Sequence, residues 1–300
     1  MRPPPSTCLR RRLTSTDVAE ILVTGATGFV GSRLIRQLSG THKVVALSRG
    51  EAQGADATIR GDFTSAAGLA QLDSHQIDAV VHLAAETGGT TEEAGLGVNV
   101  LGTRRLFRYL LDRGVKQFVA ASSIAAVGCL SHEFLPRQLP IPADHPCDAR
   151  DAYGLSKALV EEVCAYFQRI APDISMTVLR LGVVVPESTP PVSDEALARI
   201  DLPFCGLATI AVQDVVDLLE RAIELPAGFR RFNAVAPWMP TSVSVREALT
   251  TLLGDRVHHL DLSAYDTAEP TSLYAIDDLL QVFGRPLIDP RETTPGTTTR

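Results

Sequence analysis

The run Ile21-Leu-Val-Thr-Gly25-Ala-Thr-Gly28-Phe-Val-Gly31 decides the fold of this 300-residue chain. Its first four residues are apolar or β-branched, which is typical of a buried strand. Three glycines with the spacing GxxGxxG follow, and Val30–Leu38 then has the apolar spacing of a helix. The run therefore predicts a strand, a tight turn and a helix in direct succession.

This glycine-rich turn predicts a binding site for a phosphate group. Glycines let the backbone approach a ligand closely, and the first N–H groups of a helix attract anions. The strand–turn–helix order around GxxGxxG is typical of turns that bind the pyrophosphate of a dinucleotide. The predicted contacts are Gly25, Thr27, Gly28, Phe29, Val30 and Gly31.

Apolar runs and helical patterns alternate along the rest of the first half of the chain. Further runs of the buried-strand type are Val44–Leu47, Ala79–Leu83, Gln117–Ala121 and Met176–Val185. Helical spacing predicts helices at Gly97–Asp112 and Ala152–Ile170. Such alternation implies a parallel sheet with helices on both faces. The predicted fold class is α/β, a Rossmann-type doubly wound parallel sheet with a small C-terminal substrate lobe.

Composition divides the chain into four stretches. Residues 1–17 are rich in Pro, Ser, Thr and Arg and predict a disordered arm, and residues 289–300 predict a flexible tail. Residues 18–186 are interpreted as the dinucleotide-binding Rossmann domain. Prolines then interrupt the pattern, and residues 187–288 are interpreted as a small substrate-binding lobe interleaved with the main domain. Its predicted elements are a short helix and loop at Ser193–Phe204, helices at Val212–Leu225, Val243–Leu253 and about Thr271–Phe283, and a strand near Phe232–Ala236.

Charge and cysteine content exclude several classes of protein. The net charge of −7 argues against binding to nucleic acid or to an anionic membrane surface. No apolar run is long enough to span a bilayer, and the arginines near the N-terminus precede no apolar segment of a secretory signal. The five cysteines are scattered and lack a CxxC spacing, which indicates free thiols in a reducing compartment and no metal site. We therefore expect a cytoplasmic protein.

The end of the second predicted strand indicates which dinucleotide is preferred. An enzyme that uses NAD typically has an acidic residue there, which binds the ribose 2′-hydroxyl. This chain has Ser48 and Arg49, both of which can donate hydrogen bonds to a 2′-phosphate. The pattern favours NADP(H), while NAD(H) stays open because Arg49 could instead stack on adenine or face solvent.

A serine, a tyrosine and a lysine have the spacing of an oxidoreductase site. Tyr153 and Lys157 are four residues apart and share one helix face, and Ser122 and Ser123 end the fourth predicted strand. A lysine ammonium near a tyrosine favours the phenolate and lowers its pKa. Tyr153 can then exchange a proton with a substrate oxygen that Ser123 holds, while hydride moves at the adjacent carbon.

From about residue 20 to residue 237 the chain resembles the extended short-chain dehydrogenase/reductase superfamily, in its NAD-dependent epimerase/dehydratase family. The motifs that carry the resemblance are Gly25–Gly31, Gly61–Phe63, His82–Ala85, Asn99–Thr103, Ser122–Gly128, Tyr153–Lys157 and Arg180–Pro186. The resemblance implies that Ser123, Tyr153 and Lys157 are catalytic. It implies that Asp62 bonds the adenine beside Phe63, and that Asn99 helps to fix the site. The remaining implied cofactor contacts are the backbone of Leu83, Ala84 and Ala85, Ser122 on the nicotinamide side, Tyr153, Lys157 at the ribose, and Val183 in the strand that closes over the nicotinamide.

The resemblance implies NAD(P)-dependent oxidoreduction at a carbinol or keto carbon, and we expect a nucleotide sugar as substrate. A 4-epimerase and a keto-sugar reductase both stay open. Only about 25 residues separate Pro186 from Val212, and Arg199 is the one base among them. This shortness favours an alternative, an NADPH-dependent reductase of a small non-sugar ketone or aldehyde. A non-catalytic dinucleotide sensor is a third reading, although such relatives usually lack the Tyr–Lys pair. A homodimer is also left open.

Overall fold

The computed structural model describes residues 18–266, 272–284 and 287. The predicted arm and tail, residues 1–17 and 289–300, lie outside these residues. The described chain forms two compact units, each made of several segments. The first unit contains residues 18–121, 159–178 and 219–230, and the second contains residues 122–158, 179–218 and those from 231 onwards. The predicted division at residue 186 assigns the dinucleotide to the residues before it and the substrate to the residues after it. This division stays a prediction.

Seven strands form one sheet in the order β3-β2-β1-β4-β5-β6-β9. The nine strands of the described residues are β1 Glu20–Thr24, β2 Lys43–Ser48, β3 Ala57–Arg60, β4 Ala79–His82, β5 Gln117–Ser123, β6 Ser175–Leu181, β7 Val183–Val185, β8 Thr209–Ala211 and β9 Gly228–Ala234. β1 pairs in parallel with β2 on one side and with β4 on the other, so that Val23 lies opposite Ala46 and Val81. This arrangement confirms the predicted doubly wound α/β fold.

The strand order reverses at β1, which positions the candidate site. The chain moves outward from β1 through β2 and β3 on one side, and through β4 and β5 on the other. The connections that follow β1 and β4 therefore diverge at the carboxyl ends of the two strands. In open α/β sheets, ligands bind in the crevice that such a divergence creates.

Helices accompany the sheet in the order that the alternation predicts. Their bounds are α1 Phe29–Leu38, α2 Ala66–Ala70, α3 Glu92–Ala94, α4 Thr103–Asp112, α5 Ala152–Ile170, α6 Asp194–Leu197, α7 Pro203–Gly206, α8 Val212–Ala222, α9 Val245–Leu253 and α10 Asp277–Phe283. The bounds of α5 agree with those predicted. Among the helices of the described residues, none has the length and apolar character that a membrane crossing requires.

The core of the first unit explains why its strands are continuously apolar. Ile21, Leu22 and Val23 have no exposed surface, because helices cover both faces of the sheet. Phe107 of α4 packs edge-on against Phe118 of β5, with 5.2 Å between the ring centroids. Burial of one such large apolar side chain contributes roughly 1.5–3 kcal/mol.

The second unit has its own apolar core and a small sheet. β7 and β8 pair in parallel, with Val184 opposite Ile210. Phe204, Leu249 and Tyr274 are fully or almost fully buried within one cluster. This apolar cluster holds the loops of the second unit in place, since the sheet of β7 and β8 has only two strands.

Several predicted elements differ in extent from the observed ones, and two of them also differ in character. The predicted strand Met176–Val185 is two strands, because the hydrogen bonds change partner at Gly182. The Gly182 N–H donates to Ala234 at 3.0 Å, and the next N–H, that of Val183, donates to Ala208 at 2.8 Å. The predicted helix Gly97–Asp112 is a π-helix over residues 95–102 that continues into α4.

Candidate functional site

The turn between β1 and α1 brings two backbone segments into close contact. Gly25 has φ +70°, and a Cβ atom on it would lie 2.8 Å from the backbone nitrogen of Ala84. A Cβ atom on Gly31 would overlap with the carbonyl oxygen of Gly25. The Gly28 N–H donates to that same carbonyl at 3.0 Å. Both Gly25 and Gly31 are therefore required by the geometry of the turn.

The N-terminus of α1 has the properties of an anion site. Gly28 precedes the helix in extended conformation, no side chain caps the first turn, and no acidic residue lies in it. The first-turn N–H groups, which begin at Phe29 and Val30, have no intrahelical partner. Phe29 is 44% exposed, and the Arg33 guanidinium carbon lies 4.5 Å from the centroid of its ring. The positive end of the α1 dipole and the charge of Arg33 therefore lie beside the glycine turn.

A cavity of about 390 Å³ lies beside this turn, entirely within the first unit. This volume is typical of ligand pockets. Ten of the predicted cofactor residues line it: Gly25, Thr27, Gly28, Ser48, Arg49, Asp62, Phe63, Leu83, Ala84 and Ala85. Six further lining residues escaped the sequence analysis as cofactor contacts, namely Leu47, Gly61, Thr64, Glu86, Thr87 and Val98. The structure thus brings together the glycine turn, the end of β2 and the segment after β4.

Ser48 and Arg49 differ in exposure although they are neighbours at the end of β2. Ser48 is buried, and its hydroxyl accepts a hydrogen bond from the Gly50 N–H at 3.3 Å. Arg49 is exposed and makes no ion pair with any residue that the structure describes. Asp62, on the same cavity wall, accepts from the Thr64 N–H at 2.8 Å. The cavity therefore contains one guanidinium that is available to an anionic ligand.

A buried chain of hydrogen bonds supports the segment after β4. The Thr24 hydroxyl lies 2.7 Å from His82 Nδ1, and the Thr103 hydroxyl lies 2.8 Å from His82 Nε2. Thr24 also accepts from the Ala84 N–H at 3.2 Å. That N–H is therefore satisfied inside the protein. The sequence gives one signal for this network, since Thr24 and His82 are polar residues that end otherwise apolar strands.

Asn99 contacts the protein backbone. It lies in the π-helical segment and is 1% exposed. Its side-chain oxygen accepts from the Glu86 N–H at 2.7 Å, and its amide nitrogen donates to the Glu86 carbonyl at 2.9 Å. Asn99 thus fixes the main chain at Glu86, which lines the cavity.

The predicted serine, tyrosine and lysine lie together in the second unit. Ser123 ends β5 and accepts from the Ala125 N–H at 3.1 Å. It is also hydrogen-bonded to the phenol of Tyr153, one residue into α5. The Lys157 Nζ atom lies 5.7 Å from the centroid of the Tyr153 ring, and Lys157 is 5% exposed. Ser122 is buried beside them, and Val183 is 39% exposed in β7.

Opposing influences act on the pKa of Tyr153. Burial raises it, the hydrogen bond with Ser123 lowers it, and negative charge on Asp151, Cys205 or Cys129 raises it. The net result is a pKa above the ordinary value for tyrosine. Within the described residues, no group of three His, Cys, Asp or Glu side chains could hold a metal ion. The Ser123 hydroxyl and the nearby Lys157 ammonium give this arrangement the means to hold and move a proton at the Tyr153 oxygen.

The fold, the glycine turn and the Ser–Tyr–Lys group define a class of dinucleotide-binding α/β proteins. The sequence profile of the NAD dependent epimerase/dehydratase family matches residues 21–199. The chain belongs to that family and with it to the extended short-chain dehydrogenase/reductase superfamily, as its motifs predict.

Two curated relatives and one solved structure are similar to the chain. N-acetyl-alpha-D-glucosaminyl-diphospho-ditrans,octacis-undecaprenol 4-epimerase of Escherichia coli O157:H7 is 32% identical over 56% of this chain and 49% of its own length. Uronate dehydrogenase of Pseudomonas putida is 28% identical over 71% of this chain and 75% of its own. The structure of MoeE5 in complex with UDP-glucose and NAD is 25% identical, with a TM-score of 0.64 over 89% of this chain and 93% of that one. The chain spans about half the length of the first of these relatives.

Proposed function

We propose that this protein catalyses NAD(P)-dependent oxidoreduction at a carbinol or keto carbon of a sugar. The observation that carries the proposal is the hydrogen bond between Ser123 and Tyr153, with the Lys157 ammonium beside the same ring. Positioned proton exchange of this kind contributes about 10²–10⁴-fold to a rate. The family relationship supports an enzyme, since the relatives described above bear the names of enzymes.

A dinucleotide fits the residues of the first unit. The uncapped N-terminus of α1 suits a pyrophosphate, and Gly25 and Gly31 leave no Cβ atom in the turn. The residues of this unit that would hold it are the ten predicted ones that line the cavity, with Asn99 holding the Glu86 backbone from behind. When bound, the nicotinamide of such a cofactor accepts or donates hydride.

Each member of the Ser–Tyr–Lys group has one task in this proposal. Tyr153 takes a proton from the substrate hydroxyl during oxidation and returns it during reduction. Ser123 donates a hydrogen bond to the same substrate oxygen and holds it in place. Lys157 places a positive charge beside the Tyr153 ring, and such a charge favours the phenolate, whereas burial favours the neutral phenol.

A nucleotide sugar is the first substrate class to test. One relative is named as a 4-epimerase of a sugar diphosphate, and the MoeE5 structure contains UDP-glucose. With such a substrate, both 4-epimerisation and reduction of a keto-sugar use the same proton exchange at Tyr153. The two reactions differ in whether the dinucleotide leaves after each turnover.

One observation favours a second candidate, a smaller carbonyl or sugar substrate without a diphosphate. Between Pro186 and Val212, Arg199 is the one base. Its side chain is 75% exposed and bonded to Glu195 at 2.6 Å. A diphosphate gains most from arginine when the contact is bidentate and shielded from water. Uronate dehydrogenase, which this chain matches over 75% of that protein's length, is named for a substrate of the smaller kind.

The proposal includes a preference for NADP(H). Arg49 is exposed on the cavity wall, and neither residue at the end of β2 is acidic. The MoeE5 structure contains NAD, so NAD(H) is the competing outcome. Cytoplasmic location and homodimerisation stay predictions.

The test begins with the purified full-length protein. Any dinucleotide that copurifies is released, identified by mass spectrometry, and compared with the absorbance of the protein near 340 nm. UDP-sugars, free uronates and small ketones are then assayed with each cofactor. A tightly held oxidised cofactor with interconversion of two sugar epimers indicates the 4-epimerase, and NADPH consumption indicates the reductase. Tight dinucleotide binding without turnover of any of these substrates would instead support a sensor.

A further inference from the structure

A further cavity lies within the second unit. Its volume is about 360 Å³, which is typical of sites for small molecules. Its described walls are residues 142–144, residues 231–233 of β9, Ala275 and the first turn of α10. None of the described residues that line it belongs to the Ser–Tyr–Lys group or to the cofactor cavity. The proposed reaction therefore gives this cavity no role.

Asn233 of β9 lines this cavity and is 1% exposed. Its side-chain nitrogen donates to the carbonyl of Ile141 at 2.9 Å and to that of Ala275 at 3.2 Å. Both N–H groups of the amide are thus used. Exchange of the oxygen and the nitrogen would bring the oxygen against two carbonyl oxygens, so the orientation of the amide is fixed.

The amide oxygen of Asn233, Oδ1, is buried and accepts no hydrogen bond from any residue that the structure describes. An amide oxygen can accept two hydrogen bonds, and a buried one without a donor is energetically costly. Because Asn233 lines the cavity, a molecule in the cavity is placed to supply that donor. The oxygen therefore indicates a ligand with an N–H or O–H group.

Charged groups around the cavity indicate that this ligand is a cation. Asp144, Asp277 and Asp278 line it and are exposed, and their carboxylates make no ion pair within the part of the chain that the structure describes. Arg231 supplies the one positive charge among the described lining residues, and its Nε–H donates to the Ala143 carbonyl at 2.7 Å. The lining therefore carries three negative charges and one positive charge, and this balance attracts a positively charged ligand.

A protonated amine fits these groups better than a metal ion does. Among the described residues, no group of three His, Cys, Asp or Glu side chains could hold a metal ion. The three carboxylates of the cavity therefore do not converge on one point. An ammonium group has three N–H donors and a full positive charge, so that it can bond Asn233 Oδ1 and a carboxylate at the same time.

We propose that this cavity binds a small organic molecule through a protonated primary amine. The ammonium donates one hydrogen bond to Asn233 Oδ1 and pairs with the acidic side chains at the start of α10, Asp277 and Asp278. Arg231 selects what the rest of the molecule carries, since its guanidinium attracts a carboxylate and repels a second ammonium. The site does not depend on the proposed function, because neither the dinucleotide nor Tyr153 takes part in it.

Calorimetric titration of the full-length protein with three four-carbon compounds tests the proposal. γ-Aminobutyrate has one ammonium and one carboxylate, putrescine has two ammonium groups, and 1,4-butanediol has no charge. We expect saturable binding of γ-aminobutyrate, weaker binding of putrescine because of Arg231, and no binding of the diol. Tighter binding of putrescine would support the ammonium site and contradict the role of Arg231. Absence of binding by both amines at millimolar concentration, or equal binding of the diol, would overturn the proposal.

Variants locate the bound amine. The double variant Asp277→Asn, Asp278→Asn keeps the size of both side chains and removes their charge, so it should weaken amine binding by at least about tenfold. Asp201→Asn is the matched control, because Asp201 is exposed in the same unit and is not among the residues that line the cavity. An equal loss in the control would show that the amine follows the net charge of the protein, and this result would overturn the site.

The role of the Asn233 oxygen needs a readout that leaves its amide in place. Asn233→Ala also removes the bonds to Ile141 and Ala275, and we expect this variant to lose stability for that reason alone. A crystal structure of the wild-type protein with γ-aminobutyrate tests the oxygen directly. The ligand nitrogen should lie within hydrogen-bond distance of Asn233 Oδ1. An amine bound elsewhere, or a water molecule at Oδ1 in a crystal whose cavity holds no amine, would contradict the proposal.

Discussion

The Ser123 hydroxyl is hydrogen-bonded to the phenol of Tyr153, and this bond lowers the pKa of Tyr153 while burial raises it. The Ser123 oxygen is also held by the Ala125 N–H at 3.1 Å. The Ala125 N–H occupies one acceptor site of the serine and leaves its single proton for the tyrosine oxygen. Without substrate, Ser123 therefore tunes the tyrosine.

Replacement of Ser123 by alanine should move the pH profile of the oxidation reaction to higher pH. In the wild type, the hydrogen bond with Ser123 lowers the pKa of Tyr153. The variant lacks this bond, so its Tyr153 has a still higher pKa. Oxidation needs the phenolate, and its rate therefore rises only at a higher pH. The profile of kcat/KM against pH measures the shift. Ser122→Ala should have the smaller effect on rate, and the reverse order would move the role to Ser122.

Tyr153→Phe should lower kcat by about 10²–10⁴-fold, because the ring stays and only the exchangeable proton is lost. Dinucleotide affinity should change little, since the cavity of the first unit does not include Tyr153 among its lining residues. Steady-state kinetics and a fluorescence titration with NADPH give the two quantities. A variant that keeps a large fraction of the wild-type rate would show that another group exchanges the proton.

Gly31→Ala should weaken dinucleotide binding. The new Cβ atom would overlap with the Gly25 carbonyl, so the turn must move. Overpacking of this kind typically costs about 1–3 kcal/mol, and about 1.4 kcal/mol corresponds to tenfold in affinity. Gly88→Ala is the matched control, because no atom lies within 4 Å of its built Cβ position. Equal affinities of the two variants would show that the turn does not hold the cofactor.

Thr24→Val should destabilise the protein and weaken dinucleotide binding together. The valine keeps the shape but removes the hydroxyl that bonds both His82 and the Ala84 N–H. A buried group left without its partner costs about 1–3 kcal/mol. Thr24→Ser keeps the hydroxyl and should restore both properties. Thr103→Val removes only the bond to the other nitrogen of His82. It should reduce stability with less effect on dinucleotide affinity. Urea unfolding measures the stability of each variant, and dinucleotide titration measures its affinity.

The fold could be predicted because buried parallel strands and amphipathic helices leave periodic patterns in the sequence. The run at Ile21–Thr24 is apolar throughout, and its strand is covered on both faces. Short elements such as β3 and β8 were missed. In β3 the residues Ala57–Arg60 are half-buried or exposed at the edge of the sheet, so no apolar pattern marks them.

The candidate site could be predicted only where its residues lie close together in one segment of the sequence. Tyr153 and Lys157 share a helix face, and helical spacing alone reveals that. The network around His82 depends on residues of three separate segments, which only the folded sheet brings together. The change of partner at Gly182 likewise depends on a carbonyl at Ala208, which is distant in sequence. No local pattern encodes such contacts.

The cofactor preference depends on Arg49. Its guanidinium is exposed on the cavity wall and unpaired within the part of the chain that the structure describes, while Ser48 is buried beside it. A charge-assisted hydrogen bond to a 2′-phosphate is worth about 1.5–3 kcal/mol when well aligned. Affinity for NADP(H) should therefore exceed that for NAD(H) by roughly one to two orders of magnitude.

Arg49→Ala should remove most of this preference and hardly change NAD(H) binding. Ser48→Asp should invert it, because a carboxylate accepts from the ribose hydroxyls and repels the phosphate. Calorimetric titration of both cofactors against the wild type and the two variants measures all three effects. Equal affinity of the wild type for the two cofactors, or tighter binding of NAD(H), would show that Arg49 does not select the phosphate and would favour an epimerase that retains NAD.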